Sequence, residues 1–158
     1  MKKFAANYLI SASGTFLKNG IVVAAGDGRV IEFIDTTGDL HEIAQLTFLN
    51  GILCPNFRFV KCRSDLNTFT GDQSIQSLVL QLLANHSEVS MQHLIEAGVK
   101  IQEHFPEITI PELWNEMTPV LLAEDRFSKH DEAGLFLWIG VDLVNLHFTS
   151  KSRLKKIL

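Results

Sequence analysis

Gly51-Ile52-Leu53-Cys54-Pro55-Asn56-Phe57-Arg58-Phe59-Val60-Lys61-Cys62-Arg63 is the stretch whose reading decides the fold of this chain. Short β-like segments precede it, and helical segments followed by more strand-like sequence come after it. It therefore stands at the hinge of the architecture.

Upstream, Lys3 to Ile10 is apolar and β-prone, and the turn formers Ser11-Ala12-Ser13-Gly14 close it. Thr15-Phe16-Leu17 is a second short segment, ended by Asn19-Gly20, where Asn-Gly tolerates the positive φ of a tight turn. Ile21 to Ala25 and Arg29 to Ile34 flank Gly26-Asp27-Gly28, and Asp-Gly between two β-branched runs predicts a hairpin. Ile43 to Leu49 alternates, with Ala44, Leu46 and Phe48 expected on the buried side.

Downstream, residues 64–74 are polar and turn-rich, the composition of a linker. Ile75 to Asn85 fits a buried strand or a helix, and its Leu, Gln and Ala content favours helix. Ser90 to His104 predicts an amphipathic helix, because Met91, Leu94, Ile95, Gly98, Ile101 and Gln102 recur at spacings of three and four. Pro106 stops it. Thr109-x-x-Glu112 reads as a capping box opening a further helix whose apolar face is Ile110, Leu113, Trp114, Met117, Val120 and Leu121. Pro119 removes an amide donor and is expected to kink or shorten that helix. Strands are expected at Gly134 to Ile139 and Val141 to Phe148, with a last edge from Arg153 to Leu158.

A chain of 158 residues fits one domain and can bury about two thirds of its unfolded surface in a single core. The net charge of -4 and pI near 5.8 give no electrostatic reason to expect nucleic acid as a partner. The basic run Lys151 to Lys156 is interrupted by Leu154 and reads as a solvated strand edge. No window approaches the ~18 apolar residues of a membrane span, and Asn7-Tyr8 breaks any signal-like apolar run, so no membrane association and a cytoplasmic location are expected. Cys54 and Cys62 lie too far apart for a C-x-x-C motif and read as reduced buried thiols.

The order of these pieces carries a family resemblance. A strand, the Leu17-Lys18-Asn19-Gly20 turn, the Ile21-Val22-Val23 hairpin and then Gly51-x-x-x-Pro55 resemble the opening of metal-dependent amidohydrolases. There a small β domain hands over to a (β/α)8 barrel through the pattern G-x-x-x-P-G-F-x-x-x-H-x-H. The C-terminal half is similar to deaminase-like bacterial members through Glu124-Asp125-Arg126-Phe127, Gly134 to Leu143, and Thr149-Ser150-Lys151-Ser152-Arg153. The resemblance covers residues 4–63 and 90–158. It implies a composite β-sandwich built jointly from N- and C-terminal strands. A barrel needs about 250 residues, whereas only residues 64–89 separate the two matching parts. Most of the barrel is therefore missing. By spacing, the family's last catalytic aspartate falls near Ala84, with Asp72 as a second match.

In that pattern the two histidines bind the catalytic metal, and here the matching positions are Lys61 and Arg63. A metal ligand must offer a lone pair, which arginine and ordinary protonated lysine do not. Outside the resemblance, His86, His93 and Glu96 are the nearest set with ligand chemistry, and His93-x-x-Glu96 would share a helix face. His41, His130 and His147 fall in expected loops or on a strand face. Cys62, flanked by two cations, is a candidate reactive thiol, although strand neighbours point to opposite faces and a small core residue is the plainer reading. Trp114 and Trp138 are expected as core anchors.

The expectation is an α+β single domain spanning residues 1–158. Its parts are an N-terminal β part (1–63), a linker (64–74), a helical part (75–127) and a C-terminal β part (134–158) completing the sandwich. No catalytic residues and no cofactor are assigned. The expected role is a non-catalytic, barrel-less amidohydrolase-like protein, a pseudoenzyme acting in binding or assembly. Homodimerisation or another protein partner would cover the surface left by the barrel. Two alternatives stand beside it: a small metal-dependent hydrolase or deaminase rebuilt around His86, His93 and Glu96, and a regulatory partner of a full-length amidohydrolase.

Overall fold

The structure, a computed structural model, describes residues 1–11, 14–39, 43–65 and 74–158. It is a mixed α+β fold in which three α-helices pack on an eight-stranded sheet. The strands are β1 (Lys2–Ile10), β2 (Phe16–Lys18), β3 (Ile21–Ala24), β4 (Val30–Ile34), β5 (Leu46–Lys61), β6 (Glu88–Ser90), β7 (Phe127–Ile139) and β8 (Arg153–Lys156). The helices are α1 (Ile75–Leu83), α2 (Met91–His104) and α3 (Ile110–Leu122). The sheet runs β4-β3-β1-β5-β7-β8, with β2 beside β1 and β6 beside β5. Among the described residues only the β1–β5 pairing is parallel.

β5 carries the deciding stretch and is the strand on which both halves of the chain meet, since β1 pairs along one side and β7 along the other. Ile52-Leu53-Cys54 is buried on both faces, as a continuous apolar run in a central strand requires. Ile52 and Cys54 face a core shared with the helices, while Leu53 faces a second core with Phe4, Leu9, Val22, Leu135 and Leu137. N- and C-terminal strands thus wrap that second core together. All eight strands belong to one hydrogen-bonded sheet rather than to the two separate sheets of a sandwich. The β3–β4 turn bends back to β7, where the Gly134 N–H donates to the Gly28 carbonyl at 3.1 Å.

Two irregularities let β5 bend. Asn50 and Gly51 stand opposite the single residue Asn7 of β1, and the Gly51 N–H donates to Asn7 Oδ1 at 2.8 Å. Gly51 has φ +148°, and a Cβ there would lie 2.5 Å from the Trp138 carbonyl oxygen, so no other residue fits without displacement. Further along, Asn56 alone opposes residues 132–134 of β7. Asn56 Nδ2 donates to the Ala133 carbonyl at 3.1 Å, closing the bulge that the longer strand makes. This shift keeps Phe57 and Phe59 on the helix side with Ile52 and Cys54.

Each helix starts on a hydroxyl cap. Ser74, Ser90 and Thr109 accept from the backbone N–H of Ser77, His93 and Glu112 respectively, satisfying amides that the first turn leaves unpaired. Glu112 departs from the reciprocal half of the expected box, since its carboxylate accepts the Thr109 hydroxyl at 3.0 Å. The segment open between strand and helix, Ile75 to Asn85, forms α1. α3 continues to Leu122, beyond Pro119. Trp114 and Trp138 are both buried and meet edge-on at 6.0 Å between ring centroids, joining α3 to β7.

Three expectations change. Val141 to Phe148 is no strand: the Asp142 carboxylate accepts from the N–H groups of Val144 and Asn145 and from Asn145 Nδ2. This local capture turns the chain, overrides the β-branched pattern and leaves Val144 91% exposed. Leu46 and Phe48 do not form the buried side of early β5. The register sets Leu49 beside Ala6 on the second core and leaves Phe48 46% exposed. The β part expected from residue 134 begins at Phe127, and β6 interrupts the helical part by pairing with β5. Most of the 64–74 linker lies outside the described residues, as do His41 and Asp72.

Candidate functional site

The junction ends at Lys61, the last residue of β5. Lys61 Nζ donates to the carbonyl of Ala84, the C-cap residue of α1, at 2.7 Å. An ammonium group there meets carbonyls that the last helical turn leaves unpaired, at the negative end of the helix dipole. The Lys61 N–H donates to the Ser87 carbonyl at 2.9 Å, so backbone and side chain of one residue hold the α1–β6 turn. Ala84, near which the resemblance would put a catalytic aspartate, offers that carbonyl.

Arg63 lies beyond the strand and forks onto Asp65, with Nε and Nη2 each 3.2 Å from a carboxylate oxygen. The pairing holds the Asp65 carboxyl below its ordinary range and the Arg63 guanidinium above its own. The two positions that the resemblance assigns to metal histidines therefore hold cations, one capping a helix and one in a surface ion pair.

Cys62, between them, is exposed rather than buried. Its N–H donates to the Arg126 carbonyl at 2.9 Å. The strand has ended there, so the side chain is not carried into the core. Cys54 is the buried thiol of the two, and burial pushes its pKa well above the usual thiol range.

His86 and His93 do come together, with stacked rings 4.1 Å apart and 21° between planes. They line a cavity of about 90 Å³ with Glu96 and Lys100. His93 Nδ1 accepts the Ser90 N–H at 3.1 Å, completing a capping box with its side chain in place of the usual Glu or Gln. One nitrogen is thus committed to the helix start, and Lys100 brings positive charge to the same cavity. Among the described residues no three His, Cys, Asp or Glu side chains form a group that could hold a metal ion. His130 Nε2 sits 3.2 Å from Ser128 Oγ, and His147 closes the Asp142 turn through a backbone bridge.

Arg58 escaped the sequence reading. It stands 2.7 Å from both Glu88 of β6 and Glu132 of β7, tying three neighbouring strands on the outer face of the sheet. Its alternation with Phe57 and Phe59 marks an outward position, but its two partners lie far away in sequence. A cavity of about 610 Å³ forms an open groove where the end of α2 meets the starts of α1 and α3. Its floor includes Ile75, Phe105 and Ile108, and its rim carries Glu107, Glu112 and Glu116. Among the described residues no helix is long and apolar enough to cross a membrane. Comparison with protein-family models, with curated proteins and with solved structures yields no match.

Proposed function

We propose that this protein is a non-catalytic, barrel-less relative of the amidohydrolases that acts through binding or assembly in the cytoplasm. The observation that carries the reading is the state of the junction: Lys61 is bonded to the Ala84 carbonyl, and Arg63 is paired with Asp65. Neither offers a lone pair to a divalent cation. The composite-domain reading draws support from the second core, which strands from both ends of the chain enclose. A partner is part of the proposal because Ile31 and Phe48 are about half exposed on the sheet and loss of a barrel would uncover surface of this kind.

Elemental analysis of untagged protein tests the catalytic half of this reading. Sub-stoichiometric zinc, iron and manganese is expected; one tightly held ion per chain would instead favour a rebuilt metal-dependent hydrolase. Light scattering over a concentration series tests the assembly half.

A further inference from the structure

We infer that the protein associates head to tail, with the basic edge strand β8 of one copy docked in the acidic groove between α1, α2 and α3 of the next. The inference deepens the assembly reading above and rests on it. Glu107, Glu112 and Glu116 rim the 610 Å³ groove, and among the described residues none of them pairs with a lysine or arginine. Glu112 and Glu116 are steadied by the Thr109 hydroxyl and the Gln76 amide, neither of which supplies charge. An apolar floor under unneutralised carboxylates suits a cationic segment with aliphatic stems.

The complementary surface lies on the same molecule. β8 ends the sheet, paired to β7 on one side only. Arg153, Lys155 and Lys156 are exposed, and neither they nor Lys151 has a carboxylate partner among the described residues. Lysines on an edge guard it against strand addition, and they leave it free for ionic docking. Spacing matches as well as sign. Arg153 and Lys155 project to one side about 7 Å apart, while Glu112 and Glu116 sit one helical turn apart, about 6 Å along α3. Because groove and strand are different patches, the contact is heterologous, and it propagates or closes into a ring.

Light scattering on the full chain tests this with two charge-reversed variants, E112K/E116K in the groove and R153E/K155E on the strand, each checked for native circular dichroism. Wild type is expected to associate at low ionic strength and to dissociate near 1 M salt, where charges are screened beyond about 3 Å. Each variant alone should stay monomeric to at least about tenfold higher concentration, a loss of about 1.4 kcal/mol or more. An equimolar mixture of the two should associate again, since each supplies what the other needs. Association that persists unchanged in both variants and in salt overturns this interface while leaving the assembly reading intact. A wild type that is monomeric throughout overturns both this inference and self-assembly.

Discussion

Lys61 Nζ lies 2.7 Å from the carbonyl oxygen of Ala84, joining the end of the central strand to the end of the first helix. The contact makes Lys61 a cap on that helix. Replacing Lys61 with methionine keeps most of the stem and removes the donor, so the Ala84 carbonyl is left to water. A hydrogen bond from a charged group is worth about 1.5–3 kcal/mol. Partial solvent access reduces this to an expected loss of about 1–2 kcal/mol, read as a lower urea midpoint at unchanged slope.

Placing histidines at the junction should not create a metal site. K61H/R63H supplies two imidazoles, but the side chains at these positions run to different places, one to the Ala84 carbonyl at the end of α1 and the other to Asp65. The double variant is expected to bind zinc no more tightly than wild type by competition with a chromogenic chelator, and to lose stability through the missing cap.

Gly51 should be the least replaceable residue of the junction. A methyl group there meets the Trp138 carbonyl at 2.5 Å with φ at +148°. Gly51→Ala is therefore expected to cost at least about 2–3 kcal/mol, with a matching fall in thermal midpoint. Asn7→Ala, which removes only the acceptor of the Gly51 N–H, should cost less, about 1 kcal/mol.

The Asp142 turn makes stability depend on acid. Hydrogen bonds from Asn145, chiefly its side chain, hold the Asp142 carboxyl below its ordinary value. The folded state therefore gains from this group above the unfolded aspartate pKa of about 3.9. That gain is lost as pH falls through the folded value. The difference in thermal midpoint between wild type and Asp142→Ala should be full near neutrality and shrink as the pH is taken below about 4. A gap that stays constant into acid would contradict the assignment.

The two thiols should separate in reactivity. Cys62 is exposed, whereas Cys54 is buried with its thiolate disfavoured. A thiol reagent is expected to modify one cysteine in native protein and both after denaturation. Cys62→Ser should remove the native reaction entirely.

Local chemistry made much of this fold legible. The Asp27-Gly28 hairpin, the hydroxyl-capped helices and the three-and-four spacing of α2 are each encoded within a few residues of where they act, so the sequence alone determined them. The same locality misled at Val141 to Phe148, where one Asp142 carboxylate captures three donors and outweighs a β-branched pattern. At the junction, the sequence already sets cationic residue types at positions 61 and 63, which offer no lone pair in their charged form. What those cations do instead was decided only by tertiary structure. Lys61 and Ala84 are 23 positions apart, and Arg58 reaches partners on two other strands. The depth of Leu49 rather than Phe48 likewise follows from pairing with β1. Such contacts depend on register between strands, and a one-residue shift reverses every side chain; in β5 the bulges opposite Asn7 and around Asn56 set that register.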